Sequence, residues 1–177
     1  PQKDIETAKK VIGLSPEIVR IYPALVIRGT YMELLYRTGK YKPQELSEAV
    51  DICAKLLKMY RDSGINVIRL GLQTNESIND KADVIAGPFH PAFRQLVESR
   101  LMLETIEEKL SDLISCENGS MSIKNKKLLL YADPRNISNV AGHKRCNIEY
   151  LKSKYGFREI KIICEPRPAG NILVELK

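Results

Sequence analysis

The sequence predicts an α/β protein that ends in a small α+β unit, and three observations carry that reading. A β-branched run, a long apolar-striped segment and a second apolar run follow one another between residues 18 and 72. With short connections, this is the pattern of a βαβ unit, which implies a parallel sheet and a right-handed crossover. The last third then reads strand, helix, helix, strand, strand. The charge is divided as well. Residues 1–120 carry 16 basic and 17 acidic side chains, whereas residues 121–177 carry 12 basic and 5 acidic ones, so the whole excess of the +6 chain lies at its end.

Taken in order, residues 4–14 place Ile5, Ala8, Val11 and Ile12 at helical spacing behind Asp4 as N-cap. IVRIYPALVI (18–27) predicts a buried strand that Pro23 terminates, because proline has no N–H for a ladder. A long helix is expected from Pro43, with Leu46, Ala49, Val50, Cys53, Leu56, Leu57 and Tyr60 forming one stripe and Gly64 closing it at C′. INVIRLGL (65–72) is the next strand, and residues 73–86 read as polar turn material. GPFHP sets Pro91 at N1 of a second long helix reaching about Ile114. Its inward residues would be Phe93, Leu96, Val97, Leu103, Ile106, Leu110 and Leu113. The loop CENGSMS (116–122) marks the expected boundary between units 1–118 and 119–177. Beyond it come a strand at 127–132, a short helix PRNISNVA, the loop GHKR (142–145), a helix at 146–156 and two strands, EIKIICE and NILVEL. So small a module has a marginal core and is expected to lean on the helix at 91–114.

At 44% hydrophobic and 28% charged residues, the chain is a globular protein rather than a disordered, collagenous or membrane one. No stretch approaches the roughly 20 apolar residues of a membrane span. The opening Pro1-Gln2-Lys3-Asp4 lacks the apolar h-region of a signal peptide, and a cytoplasmic location is expected. Cys53, Cys116, Cys146 and Cys164 include no C-x-x-C pair, and only His90 and His143 accompany them. Zinc-finger spacing is therefore absent, and the cysteines read as reduced thiols.

Four stretches carry a family likeness: DIETAKKVIGLSPEIVRIYPALVIRGT, YRTGKYKPQELSEAV, INVIRLGLQ and GPFHPAFRQLVESR. Together they resemble the second half of a radical S-adenosylmethionine enzyme of the Elongator type, a group that overlaps with coproporphyrinogen oxidase-like iron–sulfur oxidoreductases. The resemblance implies a partial TIM-like barrel of βα units. In that family a C-x-x-x-C-x-x-C loop holds a 4Fe-4S cluster that binds S-adenosylmethionine and yields a 5′-deoxyadenosyl radical. Thiolates are the cluster's ligands, and this chain has no such loop. By resemblance, Pro1 falls just after the fifth barrel strand, so the chain looks like a C-terminal portion whose catalytic cysteines lie upstream. No catalytic residue, metal ligand or bound cofactor is then expected in the chain alone. The missing half of the barrel, or a second copy of the chain, would cover its open sheet edge.

Barrel active sites lie at the C-terminal ends of strands. The resemblance accordingly implies that Tyr22 and Pro23 line the cofactor pocket; the alternative is a core aromatic followed by a strand stop. Gln73 ends the second strand and is a candidate for the substrate side. So are His90 and Arg94, which share a helical face with Glu98, although a cap followed by an Arg–Glu pair is the reading these residues favour.

In the last third, Gly142-His143-Lys144-Arg145 with Ile148 resembles the G-x-x-G-x-x-I loop of KH domains, where glycine lets phosphates approach the backbone and basic side chains hold them. Arg145 replaces the second glycine. It opposes the tightest turn but adds a phosphate-binding fork. Lys124, Lys126 and Lys127, with Arg135, Lys152 and Lys154, would extend the footprint, and transfer RNA is the implied partner; the alternative is a solvated basic face. A non-catalytic RNA-binding module on an α/β scaffold is the competing reading.

Overall fold

The computed structural model describes residues 2–72, 83–116, 123–166 and 172–177, without the Cys116 side chain. Gln73 and residues 117–122 of the boundary loop lie outside these. The chain forms two compact units, Pro1–Val97 and Glu98–Lys177.

The first unit opens with α1 (Gln2–Gly13), which buries Ala8 and has Asp4 in its first turn rather than at its cap. The strand expected over 18–27 is two strands in different sheets. β1 (Ile18–Ile21) lies parallel to β3 (Asn66–Leu70), while β2 (Val26–Ile27) lies antiparallel to β4 (Val84–Ala86). Pro23 is the physical reason: it fixes φ and cannot donate, so the chain leaves the ladder and re-enters another. Nor is β1 buried, since Ile18 is 54% exposed. Two elements were not anticipated. One is β4, inside the supposed turn; the other is α2 (Tyr31–Arg37), capped by the Thr30 hydroxyl, which accepts the Glu33 N–H.

Helix α3 (Leu46–Asp62) follows the expected stripe and buries Ala49, Cys53, Leu57 and Tyr60. Glu45 and Glu48 form a reciprocal capping box at its start. Gly64 takes φ 73° just past its end, the left-handed turn that glycine permits. The path β1–α3–β3 is the predicted parallel crossover.

Helix α4 (Phe93–Cys116) begins two residues after Pro91, so Pro91 belongs to the preceding turn. Phe93 and Val97 are buried in the first unit. Met102, Leu103, Ile106 and Leu110 enter the core of the second, and Leu113 is not inward but exposed. The second unit continues with β5 (Lys127–Ala132), a 3-10 turn (Pro134–Asn136), α5 (Ile137–Ala141), a second 3-10 turn (His143–Arg145), α6 (Cys146–Tyr155), β6 (Glu159–Cys164) and β7 (Ile172–Leu176). Its sheet has the order β6-β5-β7, with β5 parallel to β6 and antiparallel to β7. Leu128 and Leu130 on the central strand are fully buried and pack with Leu103, Ile106 and Leu110 of α4, so the module does lean on that helix. Asn147, itself buried, joins the pieces: its Nδ2 donates to the Ser99 carbonyl at 2.9 Å and to the Asn139 carbonyl at 3.0 Å.

Candidate functional site

Two places gather the candidate residues, one in each unit. In the first, the parallel register pairs Ile21 with Leu70, so Tyr22-Pro23 and Gly71-Leu72 leave the sheet at the same C-terminal end. The Gly71 N–H donates to the Ile21 carbonyl at 2.9 Å and ties the two exits together. Gly71 has φ 79° and lies against Phe93, whose ring a side chain at position 71 would strike. Tyr22 is 48% exposed and so is not a core aromatic. Pro23 is half-buried beside it.

His90 precedes α4, and its Nδ1 accepts the Ala92 N–H at 3.0 Å. That bond uses the ring as a cap and leaves the proton of the neutral imidazole on Nε2. Arg94 Nη1 donates to the Val67 carbonyl at 3.3 Å, which anchors α4 to β3. His90 and Arg94 thus both make scaffold contacts at this site.

In the second unit, Gly142 is buried and has φ 78°; a Cβ there would come within 2.7 Å of Cys146 Sγ and 2.8 Å of the Asn147 backbone N. Lys144 (φ 51°) and Arg145 (φ 65°) follow in left-handed conformation, both with exposed side chains. The turn that Arg145 was expected to oppose therefore forms anyway, with a non-glycine residue held where each costs about 1–2 kcal/mol. His143 is half-buried in the same turn.

Lys124, Lys126 and Lys127 are at the other end of α6. The Asn125 N–H donates to the Gly156 carbonyl at 2.9 Å, and Lys124 packs against Gly156. The ten residues of α6 separate this group from the 142–145 loop by about 15 Å. Several of the cations are also engaged. Lys127 pairs with Glu159 at 3.1 Å and Arg135 with Asp133 at 2.8 Å. The Lys154 ammonium bonds Glu107 and lies 5.3 and 5.2 Å from the centres of the Tyr150 and Tyr155 rings. Burial pushes Glu107 up, but hydrogen bonds from Lys154 and Tyr155 outweigh it and hold the carboxyl below its usual range. The Glu107 bond in turn raises Lys154 above the ordinary lysine value. This cluster was not apparent from sequence, because its acid stands on α4 and its cation 47 residues later on α6.

The cysteines present do not fit an iron–sulfur cluster. Cys53 is buried in α3, and burial, with Asp4 adding to it, pushes its thiol up to about 12. Cys146 starts α6 and Cys164 ends β6. No group of three His, Cys, Asp or Glu side chains placed for a metal occurs among the described residues. Likewise, no helix there is long and apolar enough to cross a membrane.

Comparison with known proteins defines the class. Residues 16–102 match the Radical_SAM C-terminal domain, and this part of the chain is a radical S-adenosylmethionine C-terminal domain. Over 59 residues the chain is 37% identical to the tRNA uridine(34) acetyltransferase of Methanocaldococcus jannaschii, covering 29% of this chain and 11% of that protein. Over 44 residues it is 43% identical to Elongator complex protein 3 of Danio rerio, covering 25% and 8%. Over 62 residues it is 37% identical to Elongator complex protein 3 of Saccharomyces cerevisiae, covering 33% and 11%. The chain carries a radical S-adenosylmethionine C-terminal portion of the Elongator type, and its matched stretches span at most 11% of these relatives' length.

Proposed function

We propose that the chain is the C-terminal part of a radical S-adenosylmethionine iron–sulfur oxidoreductase. In this reading residues 1–118 supply the second half of a partial barrel, and residues 119–177 form a KH-like, RNA-facing extension. The observation that carries it is the paired exit of Tyr22-Pro23 and Gly71-Leu72 at the C-terminal ends of two parallel strands, the position where barrel enzymes hold their ligands. Tyr22 and Pro23 would border the adenosine side of S-adenosylmethionine. Gln73, His90 and Arg94 stand on the substrate side, His90 and Arg94 as positioning residues. The 4Fe-4S cluster and its cysteines belong to the parent protein upstream of Pro1, and the isolated chain is inactive. The sheet edges that stand open among the described residues take the missing barrel half or a second copy. The gene sequence ahead of Pro1 tests this: a C-x-x-x-C-x-x-C segment there supports the reading, and a start codon at this point removes it.

The left-handed Lys144-Arg145 pair favours a second reading, an RNA-binding module of the cytoplasm without catalysis. Strained backbone of this kind is held where the surrounding structure and a functional contact require it. One relative is a tRNA uridine(34) acetyltransferase, which makes transfer RNA the RNA to try. Salt-dependent binding of transfer RNA that is lost in Lys144→Glu/Arg145→Glu supports this role. Binding indifferent to both substitutions removes it.

A further inference from the structure

We propose that helix α2 and the turn after it form a second single-stranded RNA contact, in the first unit and separate from the 142–145 loop. The proposal rests on the RNA reading above but assigns a surface that reading does not use.

Residues 28–42 hold four basic side chains, Arg28, Arg37, Lys40 and Lys42, against one acid, Glu33. In a unit otherwise close to neutral, this stretch is locally cationic, with Asp83 set beside Arg28, whose backbone N–H donates to the Asp83 carbonyl at 2.8 Å, so the cationic excess lies with Arg37, Lys40 and Lys42. The acid is turned inward: Glu33 accepts the Gly29 N–H at 2.7 Å and the Arg37 Nε–H at 2.8 Å, which holds its carboxyl below the usual range. In that pair the Arg37 side chain is 61% exposed and Glu33 only 14%, so the solvent meets the cation. Lys40 and Lys42 are exposed beside it.

The helix itself is unusual. A seven-residue helix does not persist alone and ordinarily survives by burying an apolar face, yet α2 buries none of its residues. It is pinned at both ends by hydrogen bonds instead. The Thr30 cap and Glu33 hold the start; at the finish, the Lys40 and Tyr41 N–H groups both donate to the Leu35 carbonyl, at 2.8 and 3.1 Å. What this segment presents is mainly aromatic, with Tyr31 73% exposed and Tyr36 38%, and a single aliphatic side chain, Leu34, 54% exposed between them. Exposed tyrosine rings beside cations match unpaired nucleotides, whose bases stack on aromatic faces while phosphates meet Arg and Lys. A protein partner would call for a broader apolar patch with a less one-signed rim.

The test uses the full chain and a fluorescein-labelled, unstructured RNA 12-mer, with binding read by anisotropy across a salt series. Tyr31→Ala is expected to weaken binding roughly 5- to 150-fold, the range for one stacked base, while Tyr31→Phe keeps it. Lys40→Glu/Lys42→Glu is expected to lower affinity and flatten the salt slope by about 1.4. Wild-type affinity in both variants, alongside loss in Lys144→Glu/Arg145→Glu, overturns this surface and leaves the RNA reading standing. A wild-type chain that binds no RNA overturns both. Unchanged RNA binding with self-association lost in Tyr31→Ala/Leu34→Ala, by light scattering, assigns the face to a second copy and also overturns the proposal.

Discussion

Gly71 and Phe93 are packed so closely that a Cβ on the glycine would lie 2.8 Å from the ring's Cδ1 and 2.9 Å from its Cβ. Phe93 is buried at the start of α4, and Gly71 is the first residue beyond β3. The contact therefore fixes the strand exit that faces Tyr22 to a rigid helix.

Gly71→Ala meets two penalties, the occupied space and the positive φ. Overpacking of this kind costs about 1–3 kcal/mol, and a left-handed backbone adds to it. Urea unfolding of the variant is expected to show a lower midpoint with an unchanged slope. Adding Phe93→Leu should return the steric part only, since φ at position 71 stays positive. An unchanged midpoint in Gly71→Ala would show that α4 gives way freely.

The cysteines differ in reactivity for a reason visible in their burial. The thiolate is the reacting species, and at Cys53 burial disfavours it so strongly that the thiol titrates near 12. Cys146 and Cys164 are exposed. In a Cys116→Ser background at pH 8, a thiol reagent is expected to modify two cysteines quickly and the third only after denaturant is added. Rapid modification of all three would mean that α3 opens far more readily than its packing implies.

Helices α3 and α4 and strand β5 were legible because burial leaves a periodic apolar record: Ala49, Cys53, Leu57 and Tyr60 recur at helical spacing, and Leu128, Leu129 and Leu130 stand together on the central strand. Helix α2 left no such record, since nothing in it is buried. Its signal was polar, the Thr30-x-x-Glu33 spacing of a capping box. Strand β4 is three residues long and exists through a nonlocal partner, β2, which no local pattern announces. The candidate residues show the same limit. A count of charges found Lys127 and Lys154, but their engagement with Glu159 and Glu107 depends on which acids the fold brings near. Tyr22 could be placed at a strand end, while its exposure depends on which parts of the fold come near it, and sequence does not disclose that.

Glu107 gives the second unit a pH dependence with a definite sign. Its folded value is depressed below 4.5 because hydrogen bonds from Lys154 and Tyr155 outweigh desolvation. A depressed carboxylate contributes stability that is complete above its unfolded value and is lost as pH falls through the folded one. At pH 7, Glu107→Gln is expected to unfold at lower urea than wild type. The gap should narrow once the pH passes below about 4.5 and close beneath the depressed value. A gap that stays constant from pH 7 to 3 would mean that the Glu107–Lys154 contact contributes nothing through its charge.

Arg145 sits at φ 65°, ψ 21° directly before α6, and this makes its replacement by glycine informative. Arginine in that conformation is strained by about 1–2 kcal/mol, whereas glycine meets no such penalty but loses about 0.5–1 kcal/mol more to unfolded-state entropy. The balance favours Arg145→Gly, which is expected to raise stability by about 0.5–1 kcal/mol. Arg145→Ala retains the strain and should gain nothing. If the guanidinium holds a phosphate, both variants weaken RNA binding to a similar degree although their stabilities move apart. Stability and affinity would then be set by different properties of one residue, its backbone and its charge. Binding that follows stability instead, unchanged in Arg145→Ala and raised in Arg145→Gly, would place the role in the shape of the loop, with the backbone of Gly142–Arg145 as the contact.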